Sequence, residues 1–141
     1  MQQVKDFPLD HIGLAVRDLD ETTSRFSQLG DIKIIGEEEL PSQQVIVRFI
    51  QQGDHKIELL QSTSVTSPVA RFLEKRGEGI HHLAFRVKNI QQEMQRLRDG
   101  GLEILQDQPI AGAMNKWVFF IHPRSMGGTL IEICQPVNEA E

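Results

Sequence analysis

Two stretches of the chain alternate apolar and polar residues as a half-buried strand does: Leu-Asp-His-Ile-Gly-Leu-Ala-Val at 9–16 and Ile-His-His-Leu-Ala-Phe-Arg-Val at 80–87. Laid over one another at His11 and His82, they coincide. Ile12, Leu14 and Val16 match Leu83, Phe85 and Val87 on one face, and His11, Gly13 and Ala15 match His82, Ala84 and Arg86 on the other. Each opens the same succession of elements. After the first, Asp18 offers an N-cap, Leu19, Phe26 and Leu29 fall at helical spacing, and Gly30 suits the position just past a helix end. Strands are predicted at 32–35, 45–50 and 56–60. After the second, Asn89 and Gln92 resemble a capping box, Ile90, Met94 and Leu97 form a helical stripe, and Gly100-Gly101 stop it. Strands are predicted at 102–105, 117–121 and 129–134.

Between these runs lies a connector with a capping serine and a first-turn proline, Ser67-Pro68, the stripe Val69, Phe72 and Leu73, and a glycine stop at Gly77 and Gly79. The expected class is therefore α+β: one domain over residues 1–141, with βαβββ modules at 8–62 and 80–136 joined by a connector helix within 63–79.

Composition narrows the classes. A formal net charge of −5 argues against nucleic acid as partner. No apolar run approaches the ~20 residues that span a bilayer, and the opening Met-Gln-Gln-Val-Lys-Asp-Phe-Pro lacks the apolar stretch of a secretion signal. The single cysteine, Cys134, cannot form an intramolecular disulfide, fits a reducing cytoplasm and reads as a core thiol.

The candidate chemistry lies on the repeated strands. Each module's last strand carries an acid between apolar neighbours, Glu58 in Lys-Ile-Glu-Leu-Leu and Glu132 in Leu-Ile-Glu-Ile-Cys, at nearly the same offset as the two histidines. An acid so placed either faces water or sits in a cavity with partners, since an unpaired buried carboxylate is costly. Two imidazoles and two carboxylates suit one divalent ion, with zinc, nickel, cobalt, manganese and iron all eligible. Such an ion leaves positions for substrate oxygens and stabilises an enolate, and a carboxylate accepts a proton. The other reading treats each of the four as a surface or hydrogen-bonding residue. His81 has the wrong strand parity for a ligand, and His55 and His122 read as loop residues. Arg124 and Ser125, in the glycine-bearing loop 122–128, are either an anion site or part of a hairpin connection. Lys116 and Arg48 are possible cavity residues, and Glu37 to Glu39 read as a solvated run.

At these residues the chain resembles the vicinal oxygen chelate superfamily, which includes glyoxalase I, and within it the methylmalonyl-CoA epimerases. The resemblance rests on segments 9–16, 35–39, 56–60, Ser-Pro-Val-Ala-Arg-Phe-Leu-Glu-Lys-Arg-Gly-Glu-Gly-Ile-His-His-Leu-Ala-Phe at 67–85, and His-Pro-Arg-Ser-Met-Gly-Gly-Thr-Leu-Ile-Glu-Ile at 122–133. It implies modules whose sheets form a cup around a metal held by His11, Glu58, His82 and Glu132. It implies Glu132 as proton-transferring base, an acyl-CoA substrate and, from the habit of such subunits, a homodimer.

One departure stands out. The epimerases place a second catalytic glutamate in a Pro-Glu-Gln-Gly-Val motif. Here the motif reads Pro41-Ser42-Gln43-Gln44-Val45, with Ser42 at the base position and Gln44 for glycine. Glu58 then becomes the candidate second base, or Ser42 holds a relaying water. Ser42, Gln44, Arg124 and Ser125 are the expected substrate contacts. Two alternatives are a glyoxalase I-like lyase acting on a thiol hemithioacetal and a non-catalytic small-ligand binding protein on the same scaffold.

Overall fold

A computed structural model describes residues 6–137. The opening residues 1–5 and the final residues 138–141 of the expected domain lie outside the described residues. The described residues form an α+β structure with eight strands and three helices. The chain divides into two compact units, residues 11–81 and the residues on either side of them, so the divisions fall within the two His-bearing strands.

The unit 11–81 contains β1 (Leu9–Ala15) from His11 onward, α1 (Leu19–Ser27), β2 (Lys33–Leu40), β3 (Val45–Gln52), β4 (His55–Ser62) and α2 (Pro68–Arg76). Its strands lie in the order β2-β3-β4-β1. β1 runs parallel to β4, while β3 is antiparallel to both β4 and β2. Asp18 caps α1 by accepting from the Glu21 N–H. The helix lays Leu19 and Phe26 on Ile50, Ile57 and Leu59, and burying such side chains stabilises by about 1.5–3 kcal/mol each. Gly30 is not the helix stop: α1 ends at Ser27, and the tighter bonds Gln28 N–H to Arg25 C=O and Leu29 N–H to Phe26 C=O close it. Leu29 is accordingly exposed rather than part of the apolar stripe.

β2 is longer than the expected 32–35 because it runs on through Glu37, Glu38 and Glu39, which pair along β3 while Glu37 and Glu39 stay exposed. The edge strand hides neither face well, so hydropathy gives no alternation there. Arg48 on β3 faces α1, not a cavity: its guanidinium donates to Glu37 and Thr23 and pairs with Asp20. Ser67 caps α2, and Gly77, at φ 77°, ends it.

The second unit contains β5 (Gly79–Arg86) from His82 onward, α3 (Ile90–Asp99), β6 (Ile110–Gly112), β7 (Lys116–Ile121) and β8 (Ile131–Pro136), with residues 6–8 and the first two residues of β1, Leu9 and Asp10. The order is β5-β8-β7-β6, with β5 parallel to β8 and the other pairs antiparallel, the same arrangement as in the first unit. α3 buries Ile90 and Met94 against Phe119, Ile121, Ile131 and Ile133.

The strand expected at 102–105 is replaced by a single bridge between Ile104 and Ile121, and the module's second strand forms instead at Ile110–Gly112. Two features draw 106–109 off the ladder, after the Leu105 N–H has donated to the Phe120 carbonyl. The Arg98 guanidinium takes the carbonyls of Gln106 and Asp107, and Pro109 has no N–H to donate. The Gln106 side chain accepts from the Phe120 N–H, supplying a partner the missing ladder would have provided. Cys134 is a fully buried thiol outside any disulfide, as its apolar neighbours predict.

Candidate metal and active site

The site residues come from two strands in each unit, and parity decides what they face. On β4, Ile57 and Leu59 point toward α1, which sends Glu58 and Leu60 to the other face. On β8, Ile131 and Ile133 point toward α3, which sends Glu132 and Cys134 away from it. That second face is also buried: Glu58 is 5% exposed and Glu132 7%, which excludes the water-facing alternative for both acids.

The parallel registers place each acid beside its histidine in the same way. Gly13, two residues past His11, lies opposite Glu58, and Ala84, two residues past His82, lies opposite Glu132. The His11 Nε2–Glu58 Oε1 and His82 Nε2–Glu132 Oε1 distances are both 3.4 Å, and both imidazoles are 2% exposed.

A phenylalanine completes each pair. Phe49 on β3 stands directly opposite Glu58 and meets the His11 ring edge-on, with centroids 5.2 Å apart and planes at 84°. Phe120 on β7 stands directly opposite Glu132 and meets His82 edge-on at 6.2 Å and 87°. Such contacts orient a ring as well as bury it. Sequence reasoning overlooked both phenylalanines, although a signal was present: each is the third residue of a Val-X-Phe-Ile segment, at 47–50 and 118–121.

His11, Glu58, His82 and Glu132 are a His/Glu group that could hold a metal ion. The chemistry of the set fits. Two N/O donors about 2.1 Å from a common ion stand about 3.0–3.4 Å apart for angles between octahedral and tetrahedral, and each His–Glu pair meets that spacing.

The other expected site residues are placed differently. Ser42 is exposed in a 3₁₀ turn at Pro41–Gln43. Gln44 follows in a left-handed conformation at φ 55°, which glycine adopts more easily, and its side chain accepts from the Thr66 hydroxyl. Arg124 is bound at two nitrogens to Glu103 at 2.8 and 3.2 Å, and the Ser125 hydroxyl accepts from the Glu103 N–H. His81 stacks edge-on with Phe72, His55 opens β4, and the His122 Nδ1 accepts from the Arg124 N–H.

Lys116 is buried, and its Nζ lies 2.8 Å from the buried Asp10 Oδ2. Burial alone would lower the Lys116 pKa. The hydrogen bond and charge of Asp10, with the charges of Cys134 and Glu132, outweigh that and hold it above the ordinary lysine value.

A family model described as the glyoxalase/bleomycin resistance protein/dioxygenase superfamily matches residues 10–120. This chain belongs to that superfamily, and its fold is the glyoxalase fold. Among curated proteins it is 37% identical to the uncharacterized protein YqjC of Bacillus subtilis over 131 residues, 93% of this chain and 94% of the relative. It is 35% identical to the ethylmalonyl-CoA/methylmalonyl-CoA epimerase of Cereibacter sphaeroides over 129 residues, 90% of this chain and 96% of that one. The crystal structure of methylmalonyl-CoA epimerase from Mycobacterium tuberculosis superposes with a TM-score of 0.89 at 32% identity, covering 96% of this chain and 93% of that one. No helix among the described residues is long and apolar enough to cross a membrane.

Proposed function

We propose that this chain is a metal-dependent epimerase of an acyl-CoA thioester, with methylmalonyl-CoA the first candidate substrate. His11, Glu58, His82 and Glu132 would hold one divalent ion. The observation that carries the reading is the twice-built cluster of a buried imidazole, a buried carboxylate 3.4 Å away and an edge-on phenylalanine. The resemblance to epimerases of methylmalonyl-CoA and ethylmalonyl-CoA supports the substrate class.

A divalent ion in such a donor set supplies Lewis acidity, which lowers the energy of negative charge developing on a thioester oxygen. The chain's own residues do the rest. Glu132 accepts the α-proton as the C–H bond breaks and its electron pair passes into the enolate. Glu58, its counterpart, returns a proton to the opposite face of the α-carbon. Water then removes the proton from Glu132 and restores one to Glu58 before the next turnover. Phe49 and Phe120, edge-on to the imidazoles, hold their ring planes. Ser42 has no carboxylate to offer and contributes at most an ordered water.

The test is metal analysis of the purified protein together with α-proton exchange on methylmalonyl-CoA in heavy water. Deuterium incorporation at the α-carbon, abolished by Glu132→Gln, supports the proposal. A metal-replete protein that exchanges no α-proton refutes the epimerase reading, and turnover of a methylglyoxal–thiol adduct by that same protein favours a lyase.

A further inference from the structure

We propose that the buried Asp10–Lys116 ion pair is a positioning device for the metal donors, setting metal affinity more than fold stability. The inference rests on the metal reading above. The pair joins residues 106 positions apart, with side chains 2% and 10% exposed and Nζ 2.8 Å from Oδ2. Two charges taken out of water gain little for the fold, because well-packed apolar side chains of similar volume stabilise as well or better. A charged pair supplies what they lack, a fixed distance and direction between two strands.

Both ends of the pair lie where direction matters. Asp10 immediately precedes His11 on β1, so its anchor fixes the backbone one residue from that donor. The lead-in to β1 is held at two further points: the Arg86 N–H donates to the Pro8 carbonyl at 2.9 Å, and Phe7 lies edge-on to Phe85 at 5.7 Å. Lys116 opens β7 on the face that Phe120 shares, and Phe120 stands opposite Glu132. The charge of Glu132 is felt at Lys116 beside that of Asp10.

The turn before Lys116 is held in an uncommon conformation. Met114 and Asn115, in the three-residue connection 113–115, both take left-handed φ values, 58° and 57°, a conformation to which methionine is ill-suited. Gly112 lies against Val118 so closely that a Cβ would meet its side chain at 2.8 Å. The hairpin thus holds Lys116 in one register.

The test uses the full chain and cobalt as probe. The double substitution Asp10→Leu with Lys116→Met leaves the net charge unchanged, so it reports positioning rather than the field at the metal. Melting of the metal-free protein, the cobalt Kd by chelator competition, and the visible spectrum of the cobalt-loaded protein are compared with wild type. The expected result is a melting temperature within a few degrees of wild type, a Kd weakened about tenfold or more, and an altered spectrum, in keeping with the effect of residues that support ligands. Wild-type affinity and spectrum in the folded double variant overturn the inference. Should the double variant not fold, the milder charge-conserving pair Asp10→Asn with Lys116→Met decides in its place: a Kd and spectrum equal to wild type overturn the inference, and a weakened Kd with an altered spectrum supports it. A wild-type protein that takes up no cobalt overturns the metal reading and this inference together, whereas metal uptake unaffected by the substitutions overturns this inference alone.

Discussion

Replacing Phe49 by leucine separates the two tasks of that residue. Phe49 is 2% exposed, opposite Glu58 and edge-on to His11 at 5.2 Å. The substitution keeps an apolar, γ-branched side chain but removes part of the ring volume, which costs about 1 kcal/mol in transfer and cavity energy. Losing the aromatic contact costs about another 0.5–1.5 kcal/mol. A total near 2 kcal/mol lowers the melting temperature of a chain this long by about 6–8 °C. The imidazole also loses the wall that fixes its plane, so metal affinity falls by about tenfold. The control is Phe119→Leu. Phe119 is 0% exposed and one residue from Phe120, but it packs among Met94, Ile121 and Ile133 on the α3 side. It carries a similar stability cost with no ligand to release. Urea melts give stability, and chelator competition with cobalt gives affinity. Equal metal affinity in the two variants at matched stability refutes the idea that the phenylalanine orients the donor.

Other outcomes follow from the same geometry. Saturating metal at about a thousand times its Kd stabilises by about 4 kcal/mol, so the melting temperature should rise by more than 10 °C over protein stripped with EDTA; His82→Ala should abolish that rise in thermal melts. Ser67→Ala removes a fully buried hydroxyl that caps α2 through the Ala70 N–H and meets the Ser62 hydroxyl at 2.6 Å. It should cost about 2–3 kcal/mol in urea denaturation, the lost cap plus a poorly satisfied partner. Gln44→Gly relieves a left-handed residue at the cost of an exposed hydrogen bond to Thr66. It should stabilise by about 0.5–1 kcal/mol in the same assay. Ser42→Glu, which restores the epimerase-type carboxylate in the turn at 41–43, should raise α-proton exchange on methylmalonyl-CoA in heavy water well above wild type.

The helices and the His/Glu pattern were legible because they rest on local signals. Asp18, Ser67 and Asn89 each accept from the N–H three residues on, as their places before apolar stripes predict. The repeat of His11 with Glu58 and His82 with Glu132 was visible because parallel pairing of a module's first and last strands preserves a common offset. Edge strands were poorly legible. β2 runs through a row of glutamates, and β6 lies beyond a proline and five residues away from the stretch that looked apolar. In both, cross-strand hydrogen bonds choose the boundaries, and these leave no periodicity on an exposed strand.

By itself, then, the sequence determined the two βαβββ patterns, the caps, and the residue types of a metal-donor set. Only the tertiary structure decided that Glu58 and Glu132 are buried, that Phe49 and Phe120 face the histidines, and that Asp10 meets Lys116. The physical reason is register. Which face of a strand a residue takes follows from parity along the chain, whereas what it meets depends on pairing across many residues, and a shift of one position would replace every contact.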